Sequence, residues 1–137
     1  MTIQYNNTHR INDMTDVVTQ AGASANLLIY SGSQPSSCAS SATGTLLATI
    51  PCANPIGSVG STGSSAGVLT FNTSGMTVSS GVVAGTAGYW RLVNGSTVIA
   101  QGSVGVSGSD INFSAGATFT SGQTISITGL TITAAGA

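Results

Sequence analysis

Thr86-Ala-Gly-Tyr-Trp-Arg-Leu-Val93, then Asn94-Gly95, then Ser96-Thr-Val-Ile-Ala-Gln-Gly-Ser-Val-Gly-Val106 is the stretch that decides the fold of this 137-residue chain. Two runs rich in β-branched and aromatic residues flank an Asn-Gly pair, the strongest short-range hairpin signal a sequence carries. Side chains alternate across a strand, so Trp90 and Leu92 share one face while Tyr89, Arg91 and Val93 share the other. A hairpin of this length needs further strands to pack on.

The segments on either side supply them. Asn26-Leu-Leu-Ile-Tyr-Ser31 is a compact apolar run closed by Gly32 and Pro35. Thr43 to Ile50 reads as a strand with Leu46, Ala48 and Ile50 on one face, stopped by Pro51. Asn54 to Gly67, rich in Gly, Ser and Pro, reads as a loop. Gly67 to Asn72 is a strand presenting Leu69 and Phe71, and Met76 to Val83 is another. Asp110 to Phe113 is short. Gln123 to Thr133 alternates through Ile125 and Ile127, then changes parity to Leu130 and Ile132 across Gly129, where a glycine bulge would restore the inward face. About eight strands with turn residues between them indicate an antiparallel β-sandwich or barrel. The segments are too dissimilar to be repeats of one unit.

The other end of the chain has a different period. From Thr8 to Ala21, Ile11, Met14, Val17, Val18 and Ala21 recur every three or four residues, predicting a short amphipathic helix. Asn7 or Thr8 is placed to cap it, and Gly22 to end it. The organisation expected is an N-terminal arm over residues 1–7 and a single domain over 8–137 whose helix spans 8–21.

Charge excludes more functions than the fold admits. Only 4% of residues are charged, where about 25% is usual. There is no Lys and no Glu; the charges are Arg10, Asp13, Asp16, Arg91 and Asp110, with His9 the single histidine. A nucleic-acid surface needs several cations and a polybasic membrane patch needs about four to eight. Neither nucleic acid nor membrane is therefore an expected partner. Most acid–base catalysis needs two tunable groups in one cleft. Mean hydropathy is +0.37, yet no run approaches the ~18 apolar residues of a spanning helix. The first ten residues lack the basic and apolar regions of a signal peptide, so synthesis in a cytoplasm is expected. Hydrophobic residues make up 41%, an ordinary globular share, so Ser, Thr, Asn, Gln and Gly must supply the polar surface.

The residues able to carry chemistry are few. His9, Asp13 and Asp16 fall on one helical face, and Arg10 is spaced to pair with Asp13. With no other chelating residue placed near them, they read as a solvated or partner-facing surface. Arg91 and Asp110 could stand alone, pair between strands, or let Arg91 meet a carboxylate on another subunit. Tyr89 and Trp90 invite a sugar-stacking reading, but a lone strand Trp is more often a core or interface anchor. Cys38 and Cys52 lack the additional ligands of a metal site. A bridge between them would stabilise by roughly 3 kcal/mol, but free thiols are expected in a reducing compartment. A catalytic Cys would want a His partner, and only His9 exists. Gly57-Ser-Val-Gly-Ser-Thr-Gly63 lacks the Gly-Lys-Ser/Thr that would complete a phosphate loop. No catalytic residue, cofactor or metal is expected.

The order of the motifs resembles a family of small β proteins encoded beside the major capsid protein in tailed bacteriophages, the capsid decoration or cement proteins. The resemblance runs through His9-Arg-Ile-Asn-Asp13, Gly22, Leu27-Leu-Ile-Tyr-Ser-Gly-Ser-Gln-Pro35, Leu46-Leu-Ala-Thr-Ile-Pro51 and Gly67-Val-Leu-Thr-Phe71. It continues in Gly85-Thr-Ala-Gly-Tyr-Trp-Arg-Leu92, Gly105 to Asp110, and Gly122-Gln-Thr-Ile-Ser-Ile-Thr-Gly-Leu-Thr-Ile-Thr133. The cysteines are not part of it, and the charge is sparser than the family pattern. What it implies is a jelly-roll-like sandwich, a homo-oligomer (dimer or trimer) on the outer capsid surface, clamping major capsid protein subunits. Ile3, Tyr5, His9, Arg10, Asp13, Trp90 and Arg91 are the interface candidates. The rival readings are a receptor- or glycan-binding domain of a tail fibre or adhesin and, last, an enzyme using Cys52 or Cys38.

Overall fold

A computed structural model describes residues 3–113 and 116–136. The chain opens with helix α1 (Asn7–Ala21), followed by β1 (Ala25–Ser31), β2 (Leu46–Pro51), β3 (Gly57–Val59), a 3-10 turn (Gly63–Ser65), β4 (Val68–Phe71) and β5 (Thr77–Val78). Then come the long β6 (Gly85–Asn94) and β7 (Thr97–Gly105), and the short β8 (Ile111–Asn112), β9 (Thr118–Phe119), β10 (Ile125–Ser126) and β11 (Thr131–Thr133). The protein is mainly β with one helix, as expected.

The hairpin is the spine. The main sheet runs β2-β1-β6-β7-β8, with β9 pairing the start of β6; β3-β4-β11 and β5-β10 form two smaller sheets. Every pairing is antiparallel except β7 with β8, where Val104 faces Ile111 in parallel. Asn94 pairs with Thr97, so the two turn residues are Gly95 and Ser96 rather than Asn94 and Gly95. Gly95 has φ 59 and Ser96 does not have positive φ, the pattern of a II′ hairpin turn. Asn94 stays in the strand and its side chain donates to the Gln20 carbonyl, tying hairpin to helix.

One cluster of buried side chains joins all three sheets and the helix. Leu27 and Ile29 of β1 lie opposite Leu92 and Trp90 of β6, and Leu69, Phe71, Ile125, Ile127 and Leu130 come from the smaller sheets. Trp90 and Gly102 are register partners; a Cβ on Gly102 would sit 2.7 Å from the indole Nε1, so glycine makes room for the ring.

Several local expectations change. The helix cap is Asn6, whose carboxamide accepts from the His9 N–H at 2.8 Å, one residue before the positions expected. On β2 the inward residues are Leu47, Ala48 and Ile50, while Leu46 is exposed. Register with β1 slips between Ile29 and Tyr30, which pair with Ala48 and Leu46 and leave Leu47 extra. That irregularity reverses the parity of everything before Ala48. The expected loop at 54–67 holds β3, which pairs with β4. The expected strand at 76–83 is reduced to β5, and β9 was not anticipated. At Gly129 the chain does not bulge within one strand: β10 joins β5 and β11 joins β4, so the parity shift marks a change of sheet.

Candidate functional site

Strand β6 is buried on both faces from Tyr89 to Val93. Trp90 and Leu92 face the core. Tyr89 and Arg91 face outward and are covered by the long connection between β1 and β2, residues 32–45. This flap is held by side chains reaching up from the sheet. The Tyr89 hydroxyl donates to the Thr43 carbonyl at 2.6 Å and accepts from the Thr43 N–H at 2.9 Å. Arg91 Nη2 donates to the Ser40 carbonyl at 2.8 Å, and Gln101 Nε2 to the Pro35 carbonyl at 2.8 Å. Beneath the flap Tyr30 stacks on Tyr89, ring centroids 5.1 Å apart and nearly parallel, a pairing worth about 0.5–1.5 kcal/mol beyond its burial. The base of the flap is closed by Ser31 and Thr45, which exchange two hydrogen bonds.

Both arginines are interior. Arg91 is 4% exposed and Arg10 5%. The helix buries Arg10, Met14 and Ala21 with Val17 and Val18 packed against the core, so Arg10 extends the apolar stripe by one turn. Its alkyl stem lies against Gly67, where a Cβ would come within 2.7 Å of the Arg10 Cβ. The expected Arg10–Asp13 pair therefore does not form; Asp13 meets His9 instead, at 3.7 Å. Arg91 and Asp110 do not pair either. Asp110 Oδ2 accepts from the Ser103 N–H at 2.8 Å and from its hydroxyl at 3.2 Å, beside the Trp90 indole over Gly102. Arg91, adjacent to Trp90, points the other way.

The interface candidates divide accordingly. Arg10, Trp90 (2% exposed) and Arg91 belong to this chain's own interior. Ile3 and Tyr5 are exposed at 65% and 45%, and His9 and Asp13 stand on the outer face of α1. Tyr5 is anchored: its N–H donates to the Gly136 carbonyl at 2.9 Å and its ring packs 4.5 Å from His9. Beyond Tyr5 the expected arm supplies the cap at Asn6 and the first helical residue at Asn7; positions 1 and 2 lie outside the described residues. Tyr89 and Trp90, the aromatics that invite sugar stacking, are both buried, and the neighbouring Tyr30 is half-buried under the flap.

Both cysteines are free thiols. Burial pushes the Cys52 thiol up to about 11, a hydrogen bond with the Leu27 backbone opposing it. A thiol held that high is protonated at neutral pH and a poor nucleophile. Among the described residues no group of three His, Cys, Asp or Glu is arranged to hold a metal, and no helix is long and apolar enough to cross a membrane.

The flap and its anchors were not legible in the sequence as a site. Their signals were indirect: Gly32, Pro35 and Gly44 mark a non-strand segment, and Tyr89 and Arg91 share the face of β6 opposite Trp90 and Leu92. No protein-family model matches this chain, and no match was found among curated proteins or solved structures.

Proposed function

We propose that this protein is a structural virion component that binds the outer surface of a phage capsid and cements neighbouring major capsid protein subunits, acting as a homo-oligomer and without catalysis. One observation carries the reading beyond the motif order: the burial of Arg10 and Arg91 leaves no Lys or Arg side chain on the surface. The exposed formal charges are three carboxylates, Asp13, Asp16 and Asp110, on a surface rich in Ser, Thr, Asn, Gln and Gly that also exposes Ile3, Tyr5, Leu46, Val83 and Val106. Such a surface has little of the repulsion that keeps soluble proteins apart and suits a subunit packed among others. Short polar side chains order at small entropic cost, and many weak copies add up on a lattice.

Co-sedimentation with capsids of the encoding phage that lack the protein tests this. The bound fraction should be nearly unchanged when salt is raised from about 0.1 to about 0.5 M, because few surface charges are available to be screened. Failure to sediment with the capsids at any salt concentration would overturn the proposal. Its virion localisation, on the outer capsid after synthesis in a bacterial cytoplasm, stands or falls with it.

A further inference from the structure

Among the described residues Arg91 is a buried cation without a counter-ion. No carboxylate of those residues lies within ion-pairing distance of Arg91, and its guanidinium makes a single hydrogen bond, to the Ser40 carbonyl. Its Nε–H finds no partner among the described residues. The register partner Gln101 carries a buried orphan acceptor, Oε1, complementary to that N–H. Neutral dipoles of this kind can satisfy the donor but leave the charge uncompensated, and a buried charge is costly unless an opposite one meets it. Arg91 also lines a cleft of about 570 Å³ at the flap edge, together with Cys38, Ser40, Ser41, Ser96 and Val98. The structure thus sets a nine-tenths-buried, unpaired cation in a cleft whose other polar side chains are serine hydroxyls and one thiol.

We propose that this cleft is an anion site that takes one carboxylate, with Arg91 as the charged group and the serine hydroxyls as auxiliary donors. A single cation matches a monoanion, whereas a nucleic-acid backbone would need several. Guanidinium and carboxylate fit each other in a two-pronged geometry. The carboxylate is that of an Asp or Glu side chain on a neighbouring capsid subunit; that identity, and nothing else in the inference, rests on the proposed function. A carboxylate seated under the flap would lie beside Cys38, which makes the thiol a built-in reporter.

Acetate is the probe. In the full chain labelled with 15N-arginine, the Arg91 Nε–H resonance should shift saturably with sodium acetate, while Arg10 does not and sodium chloride at equal ionic strength has no such effect. Iodoacetamide should modify Cys38 more slowly at saturating acetate, with Cys52 unaffected. Because Arg91→Gln removes a buried group and can unfold the sheet, the second variant is Ser96→Asp, an exposed turn position on the cleft rim. It supplies an internal carboxylate and should weaken acetate binding by about tenfold, the scale of losing one hydrogen bond to a charged group. No Arg91 response, an equal response to chloride, a tighter response to inorganic phosphate, or an unchanged response in Ser96→Asp overturns the carboxylate site and leaves the capsid proposal intact. If acetate binds as expected, Ser96→Asp should also lower capsid co-sedimentation. Undiminished co-sedimentation of that variant overturns the partner assigned to the carboxylate.

Discussion

The two thiols show how little of a residue's chemistry is set by its type. Cys52 is held against the core and its ionisation is pushed up to about 11 from an ordinary 9.0, so at pH 8 only about one such thiol in a thousand is ionised. Cys38 lies on the flap beside the cleft. Iodoacetamide at pH 8 should therefore label Cys38 well before Cys52, read by mass spectrometry of the folded protein. The same shift fixes a sign for stability. Below pH 9 both folded and unfolded chains keep the proton and the group contributes no pH dependence. Between pH 9 and about 11 the unfolded chain releases its proton while the folded chain holds it, so stability falls as pH rises. Relative to Cys52→Ser, the wild-type protein should lose stability across that window, measured as urea midpoints. Gly102 offers a steric test at the same scale. An alanine methyl there would press on the Trp90 indole and on Asp110 Oδ2, and Gly102→Ala should cost about 1–3 kcal/mol, the usual range for overpacking. That Trp90 and Leu92 share a face was legible from the alternation of β6, but not that this face is the inward one, and Trp90 read equally as an interface residue. The need for glycine opposite it was not legible either, because register is set by the turn and the partner strand.

The elements that the sequence announced are those whose signal is local. Helix α1, β1, β6 and β7 lie within a residue or two of where periodicity and turn chemistry place them, since each carries its own cap, run or turn. What was hidden depends on pairing. β2 keeps Ala48 and Ile50 inward as its alternation indicates but turns Leu47 rather than Leu46 to the core, because its register with β1 slips between Ile29 and Tyr30. Gln123 to Thr133 divides between two sheets because different partners claim its halves. Arg10 looked like a surface residue until the helix docked with it inside. Two substitutions test the element scale. Asn6→Ala removes the side chain that accepts from the His9 N–H and should lower stability by about 0.5–2 kcal/mol in thermal or urea unfolding. Tyr89→Phe keeps the stacked ring but loses the hydroxyl that both donates to and accepts from Thr43. Its effect should be concentrated in the flap: faster amide exchange at residues 36–45 and faster alkylation of Cys38, with the exchange of β1 and β7 little changed.

At the scale of the whole molecule the sequence's scarcity of charge becomes sharper in three dimensions. Composition alone gives two cations and three carboxylates; folding removes both cations from the surface. The fold class was legible because strands and turns dominate the chain, whereas this segregation of charge was not, since burial of an arginine leaves no mark in periodicity. A surface with carboxylates and no exposed Lys or Arg leaves apolar and neutral polar contacts to carry association, with Arg91 lining a cleft through which a partner could reach it. The central claim is that this surface belongs against a capsid. Electron cryomicroscopy of capsids lacking the protein, imaged before and after incubation with the purified chain, tests it most directly. The account predicts new, symmetry-related density on the outer surface, seated across boundaries between major capsid protein subunits. Capsids that remain bare at saturating protein, or density confined to a tail structure, would contradict it.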